Sequence, residues 1–346
     1  MIMGAPMQES TPLSERWQQL READPKLRIR NAAEQLGVSE LALLRTDPER
    51  VRALRPDFPA IFEALRGVGP VMTLARNNEV VHETTGELEN FHHNPRTGMA
   101  LSTGALDLRL FFNRWRHACA VEEGERASLQ CFDAAGNALH KIYRTEATND
   151  DAWHRLIACL ADPISADVPL EAVEPPEPRR LCTDPVALRH DWSRLRDLHH
   201  FHSLLRRHET DRLSALEAVG EDWARPLPVD ALERLLQAVA DDTPIMAFVY
   251  NPGTVQIFSG EVHKLARTGP WYNVLDPAFN LHVRTEALAQ CWRVRRPSAD
   301  GDVNALDCFN HEGRLVLSLF GARKPGKPEL TAWRAHLDAL EAACAA

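Results

Sequence analysis

Residues 72–143 and 246–320 are two diverged copies of one unit, so whatever this chain folds into, it folds into twice. Met72-x4-Asn77 returns as Met246-x4-Asn251, and Thr85-Gly86-Glu87 returns as Ser259-Gly260-Glu261, both 174 residues on. Read by residue type, Leu108-Arg109 answers Val283-Arg284 and Trp115 answers Trp292. Cys131-Phe132-Asp133-x2-Gly136 answers Cys308-Phe309-Asn310-x2-Gly313 at an offset of 177. A period this long in two copies is a domain duplication, since solenoids stack three or more short units. Each copy is the other's control: features in both belong to the scaffold, and features in one are candidates for function.

The 346 residues can bury a large core and are expected to divide into two domains. A net charge of −9 argues against a nucleic-acid binder, because neutralising phosphates needs a basic face. No apolar run approaches the 18 or so residues of a membrane span, and the N-terminus shows no charged and then apolar leader, so neither membrane insertion nor export is expected. The seven cysteines are scattered and form no Cys-x2-Cys pair, which suits reduced thiols in a cytoplasm and argues against structural zinc.

Apolar spacing near 3.6 predicts helices over 13–66, and short β-branched and aromatic runs punctuated by glycine predict an antiparallel meander over 71–143. Helix returns around 149–160. Prolines 163, 169, 175, 176 and 178 then mark an extended linker. The order repeats with helices over 186–240, strands over 245–320 and a closing helix at 328–344. Helices segregated from strands indicate an α+β fold with two similar halves, each of N-terminal helices followed by an antiparallel sheet. The expected domains are 1–160 and 186–346, joined by a Pro-rich linker at 161–185. Trp115, Trp292, Phe132 and Phe309 are expected in the cores.

Four of the fifteen histidines, His199, His200, His202 and His208, fall within ten residues of the second half. The segment reads as a helix that places His199 and His202 on one face. Such a cluster is either a solvated helix surface or a site for iron, copper or zinc, and no fourth ligand at a familiar zinc spacing is visible. The leucine register sets His199 near Leu27 of the first copy, which has no histidine in that helix. Arg296 aligns with Cys119, Arg323 with Glu146, and Arg212 with Glu40 or Ser39. One histidine and several arginines, gained in one copy of an acidic chain, suit a ligand with a coordinating centre and anionic arms, because guanidinium forks pair with carboxylates. In the first copy His82, His92 and His93 are read as solvated strand-end residues.

At these residues the chain resembles the HemS/HmuS family of haemin-uptake proteins. The resemblance runs over roughly 13–340 and is most specific at Lys26–Leu41 (KLRIRNAAEQLGVSEL), Arg76–Glu83 (RNNEVVHE), Leu106–Phe111 (LDLRLF), Arg267–Arg284 (RTGPWYNVLDPAFNLHVR) and Ala299–Val303 (ADGDV). It implies a cytoplasmic protein that holds haem b, iron protoporphyrin IX, in a cleft of the second half. His199, in the Asp-x-His-x-Phe motif, is then the iron ligand, and Arg109 lies on the opposite haem face. Arg212, Arg296 and Arg323 bind the propionates. The implied partners are a haem importer on the inner membrane face and a downstream haem oxygenase. Where the family often carries Gln and Tyr on the strand before Arg323, this chain has Ser318 and Phe320, which puts Ser318 in doubt as a ligand contact. Haem trafficking is the expected role, and oxygen- and reductant-dependent haem degradation by the protein itself is the rival.

Overall fold

The computed structural model describes residues 11–101, 106–323 and 326–345. The first half runs through helices α1 (Leu13–Ala23), α2 (Ile29–Leu36) and α3 (Glu40–Leu44), strand β1 (Val51–Leu54) and helix α4 (Phe58–Leu65). Strands β2 (Val71–Arg76), β3 (Val80–Gly86), β4 (Phe91–His93), β5 (Gly98–Leu101), β6 (Asp107–Leu110), β7 (His117–Glu123), β8 (Arg126–Phe132) and β9 (Ala138–Arg144) follow, then helix α5 (Asp150–Leu160). The second half repeats the series with α6 (Pro185–Trp192), α7 (Phe201–Arg207), α8 (Arg212–Val219), β10 (Ala224–Leu227) and α9 (Ala231–Val239). Its sheet strands are β11 (Ile245–Tyr250), β12 (Thr254–Gly260), β13 (Leu265–Thr268), β14 (Trp271–Leu275), β15 (Phe279–Arg284), β16 (Leu288–Arg296), β17 (Val303–Asn310) and β18 (Leu315–Gly321), and α10 (Thr331–Ala345) closes the chain. The α+β duplication is therefore present, although β1 and β10 interrupt the expected helical runs. Each is a four-residue edge strand, too short to show a period.

The halves are not separate meanders. The two nine-stranded antiparallel sheets run β1-β7-β8-β9-β2-β3-β15-β14-β13 and β10-β16-β17-β18-β11-β12-β6-β5-β4. Each half lends three strands to the other's sheet, covering an edge that would otherwise expose unpaired backbone. Two equivalent asparagines lock the exchange. Asn77 Nδ2 donates to the carbonyls of Tyr250 and Val316, at 2.9 and 3.0 Å. Asn251 Nδ2 donates to those of Arg76 and Leu139, at 3.1 and 2.8 Å. Each Oδ1 also accepts two backbone N–H groups of its own turn.

Strand register corrects part of the sequence alignment. Leu54 stands opposite Ala118, and its equivalent Leu227 stands opposite Cys291, so β7 and β16 correspond at 173 residues. Trp292 then occupies the place of Cys119, not Trp115, and Arg296 occupies the place of Glu123, not Cys119. Val255 pairs with Arg109 as its counterpart Val81 pairs with His282, so Arg109 answers His282 rather than Arg284. Matching residue types pulled the alignment two to four positions out of register. Arg323 keeps Glu146 as its counterpart. In the helical layer Gly37 and Glu209 both take positive φ, 68° and 48°. This shared turn sets His199 at Leu27, His202 at Arg30 and Arg212 at Glu40.

Trp115, Trp292, Phe132 and Phe309 are buried as expected. In the linker Leu170 packs on the first half, while Arg179 binds Asp211, Ser214 and Glu217 of the second. No described helix is long and apolar enough to cross a membrane.

Candidate functional site

His199 lies in a short 3-10 turn, Leu198–His200, and α7 begins only at Phe201, so the expected continuous helix is broken there. Asp197 caps the turn. Its Oδ1 accepts the His199 backbone N–H at 2.9 Å and sits 2.7 Å from His199 Nδ1. A carboxylate only accepts, so Nδ1 carries the proton and Nε2 presents its lone pair. The imidazole is 91% exposed, so Nε2 faces open space. A carboxylate behind a histidine fixes tautomer and ring direction, as behind metal-ligating histidines generally. The two hydrogen bonds from His199 hold the Asp197 carboxyl below its ordinary range. His200 and His202 are exposed as well, whereas His208 is drawn back to Asp191 at 3.0 Å. Burial and then Arg206 and Arg212 push His202 toward its neutral form.

Two residues beyond His199 the chain turns inward. The Phe201 ring is buried under two guanidinium groups, those of Arg296 and Arg212, at 4.6 and 5.1 Å. Both reach the fully buried Asp307, Arg296 Nη2 at 2.5 Å and Arg212 Nη1 at 3.4 Å, while Ser318 Oγ donates to its other oxygen at 2.6 Å. Burial opposes ionisation of Asp307, but Arg296, Arg212 and the Ser318 hydroxyl together hold its carboxyl below the usual range. Arg212 is the first residue of α8, whose cap Asp211 accepts the Ser214 N–H at 2.7 Å, and it stays partly exposed. Arg296 is 3% exposed and committed to Asp307. It meets a ligand only if that pair opens, so direct contact with an anionic arm, expected of all three arginines, falls more naturally to Arg212 and Arg323. Arg323 Nη2 lies 3.3 Å from Asp300 and is 15% exposed. Ser318 is wholly buried on Asp307 and faces no ligand.

Arg109 sits on β6, the strand lent to the second half's sheet, where it pairs with Val255 of β12, which in turn pairs with Tyr250 of β11. Partners across a sheet share a face. Arg109 therefore lies on the face that bears Tyr250, Phe248 and Met246 of β11 and Phe320, Ser318 and Asp307 beyond. It is partly exposed, bound to Asp107 and to the Leu108 carbonyl at 3.1 Å. Helices α6–α8 bury the β16–β17 end of this face through Trp292, Val294 and Phe309. Met246, Phe248, Tyr250, Val255, Phe320 and Met99 are left half-exposed. Phe248 packs edge-on to Phe320 with centroids 5.1 Å apart. A half-exposed apolar face with partly exposed arginines has the composition of a site for a flat apolar ligand with anionic arms.

Residue type alone pointed to His199 and the arginines but missed two parts of the site. Asp307 stands where the first copy has Gln130, and register was needed to see it. Phe248 and Tyr250 stand where the first copy has Leu74 and Arg76, a difference visible in the strand alternation. In the first copy His82 departs from expectation: it is fully buried, with Nε2 2.8 Å from Thr84 Oγ1, while His92 is exposed. Among the described residues no group of three or more His, Cys, Asp or Glu could hold a bare ion, whereas a haem iron asks one side-chain ligand of the protein.

Fold and site define a duplicated α+β protein whose second half sets an open, carboxylate-oriented histidine turn and partly exposed arginines against a half-exposed apolar sheet face. A family described as the Haemin-degrading HemS.ChuX domain matches residues 37–160 and again 209–340. The hemin transport protein HmuS of Yersinia pestis is 36% identical over 95% of this chain and 97% of its own length. Among solved structures, holo-PhuS, a heme-binding protein from Pseudomonas aeruginosa, is 40% identical with a TM-score of 0.89, covering 94% of this chain and 96% of that one. The heme degrading enzyme ChuS of Escherichia coli O157:H7 is 34% identical with a TM-score of 0.89, covering 94% and 98%. The chain belongs to the HemS/ChuX domain family and carries the domain twice.

Proposed function

We propose that this protein binds one haem b in the second-half cleft, with His199 Nε2 on the iron, and that it accepts imported haem in the cytoplasm, buffers it and passes it on for iron acquisition. The observation that carries this reading is the Asp197–His199 pair, present in one copy only, beside an aromatic floor left uncovered. The residues fit the group: one oriented imidazole, half-exposed Phe248, Tyr250 and Phe320 for the macrocycle, and partly exposed Arg212 and Arg323 for the propionates. Arg296 acts through Asp307, holding Arg212 in place. When bound, the iron supplies a centre that takes one protein nitrogen and leaves its other face to exogenous ligands. Arg109 is suited to that second face, as a donor to a bound water or small anion. An exposed ligand turn favours transfer, because His199 is reached from solvent without opening the core. The donor is a haem importer at the membrane and the acceptor a downstream haem oxygenase.

Degradation by the protein itself is the second reading, favoured by the likeness to ChuS and by an arginine suited to the distal side. Incubating the ferric complex with a reductant under air, with catalase present, separates the two. Trafficking predicts that the tetrapyrrole is recovered intact and moves to an acceptor. Stoichiometric ring opening to a defined product, with iron released, makes the protein an enzyme.

A further inference from the structure

The stretch RNNEVVHE contributes Asn77 to the interlock, but its first residue, Arg76, has no part in the haem reading. It stands on the first half's counterpart of the sheet face that bears Arg109, the shallow cleft under the first-half helices, at the position Tyr250 holds in the second. Its backbone is fixed, since the Arg76 carbonyl accepts from Asn251 Nδ2 across the strand exchange. Its guanidinium is half-buried, yet among the described residues it forms no ion pair, and its Nε donates only to the neighbouring Asn77 carbonyl at 3.2 Å. Burial lowers the guanidinium pKa to about 10, with Arg30 and Arg284 adding to the fall and Glu40 and Glu34 offsetting it in part. Glu40 is already held by Lys141 at 2.5 Å and Arg30 at 3.2 Å. A half-buried guanidinium whose nearest carboxylate is already shared by two other cations is costly, and perturbed groups of this kind cluster at functional sites.

The surroundings narrow the anion. On the same face lie half-exposed Met72 and Leu74, with Tyr143 beside Met72. His282 is on that face across Val81, its Nδ1 2.7 Å from Asn273 Oδ1. Glu83, opposite Leu74, lies diagonal to Arg76 on the same face and disfavours multiply charged anions most. Leu27 occupies the place of His199, so this cleft offers no equivalent metal ligand.

We propose that the first-half cleft is a second, metal-free ligand site for a small organic carboxylate, its carboxylate forked on Arg76 and its apolar body on Met72, Leu74 and the Tyr143 ring. This site does not depend on where haem binds. Thermal unfolding of the full chain tests it with hexanoate or benzoate against phosphate, at constant ionic strength. Wild type should show a saturable rise in Tm with either carboxylate and a smaller one with phosphate. Arg76→Leu should unfold at higher temperature than wild type without ligand and lose the rise, whereas Arg109→Ala should keep it. Should Arg76→Leu fold poorly, Arg76→Lys keeps the charge without the fork and should weaken the carboxylate response at least several-fold. No saturable response in wild type, or an undiminished one in the Arg76 variants, overturns the site. Equal responses to phosphate overturn the carboxylate assignment, as does an Arg76-dependent uptake of hemin by His199→Ala.

Discussion

The two clefts are built on the same backbone with opposite polarity. In the first, the residue opening the helix after the shared turn is Glu40, paired with Lys141 on the fourth sheet strand. In the second, the helix opens with Arg212, the strand position holds Ser318, and the acid Asp307 lies on the neighbouring strand β17, paired with Arg296 of β16. An acid at a helix start is favoured by the macrodipole and a cation there is opposed by it. The first half therefore keeps the arrangement good for stability. The second accepts a less favourable one that leaves a cation partly exposed beside Phe201 and the Asp197–His199 turn. Function shows as the departure of one copy from what its twin's helix prefers.

The largest test of this contrast removes the buried acid. Asp307→Ala strands Arg296 without a counter-charge and should cost on the order of 3–5 kcal/mol in denaturant unfolding. Lys141→Ala should cost less, because Glu40 retains Arg30 at 3.2 Å. Equal losses would mean that the two pairs are interchangeable scaffold.

Acid should also separate the halves. Burial pushes His82 and His140 down to about 3, and their second-copy counterparts, Gln256 and Leu317, do not titrate. The folded state keeps both imidazoles neutral while the unfolded chain protonates them near pH 6.5. Their contribution is therefore full above about pH 6.5 and falls as pH drops toward 3, by roughly 1.4 kcal/mol per unit and per histidine. Replacing His82 by Gln and His140 by Leu should flatten the unfolding free energy over that window, and an unchanged slope would contradict their burial as neutral groups.

Smaller effects belong to the rim. Arg212→Ala and Arg323→Ala should each weaken hemin binding roughly tenfold, the value of about 1.5–3 kcal/mol for a charge-assisted hydrogen bond, and lysine should restore only part. Arg109→Ala should shift the acid–alkaline transition of the ferric complex with little change in affinity. His282→Ala, at the equivalent place in the first half, should leave that transition alone.

Much of this was legible without coordinates. The constant spacing of Met72, Asn77, Met246 and Asn251 announced the duplication, and His199 stood out because its twin is Leu27. The strand exchange was not legible, because β6 and β15 are short, and nothing in four to six residues says which sheet they join. Arg109 belongs to the first half by sequence, and only the exchange places it on the second half's sheet. Trp115 and Trp292 misled the alignment because bulk alone marks a core position, not its register. Asp307 carries no signal in the sequence, since a buried acid looks like a surface one until its partners are known.

On the proposed reading His199, oriented by Asp197, carries the iron. The absorption spectrum of the ferric complex, recorded after hemin titration of wild type, His199→Ala and His202→Ala, tests it most directly. Wild type should bind one equivalent, His199→Ala should lose or markedly change the low-energy ligand-field bands, and His202→Ala should keep a near-wild-type spectrum. An unchanged spectrum in His199→Ala, with the bands lost in His202→Ala, would contradict it.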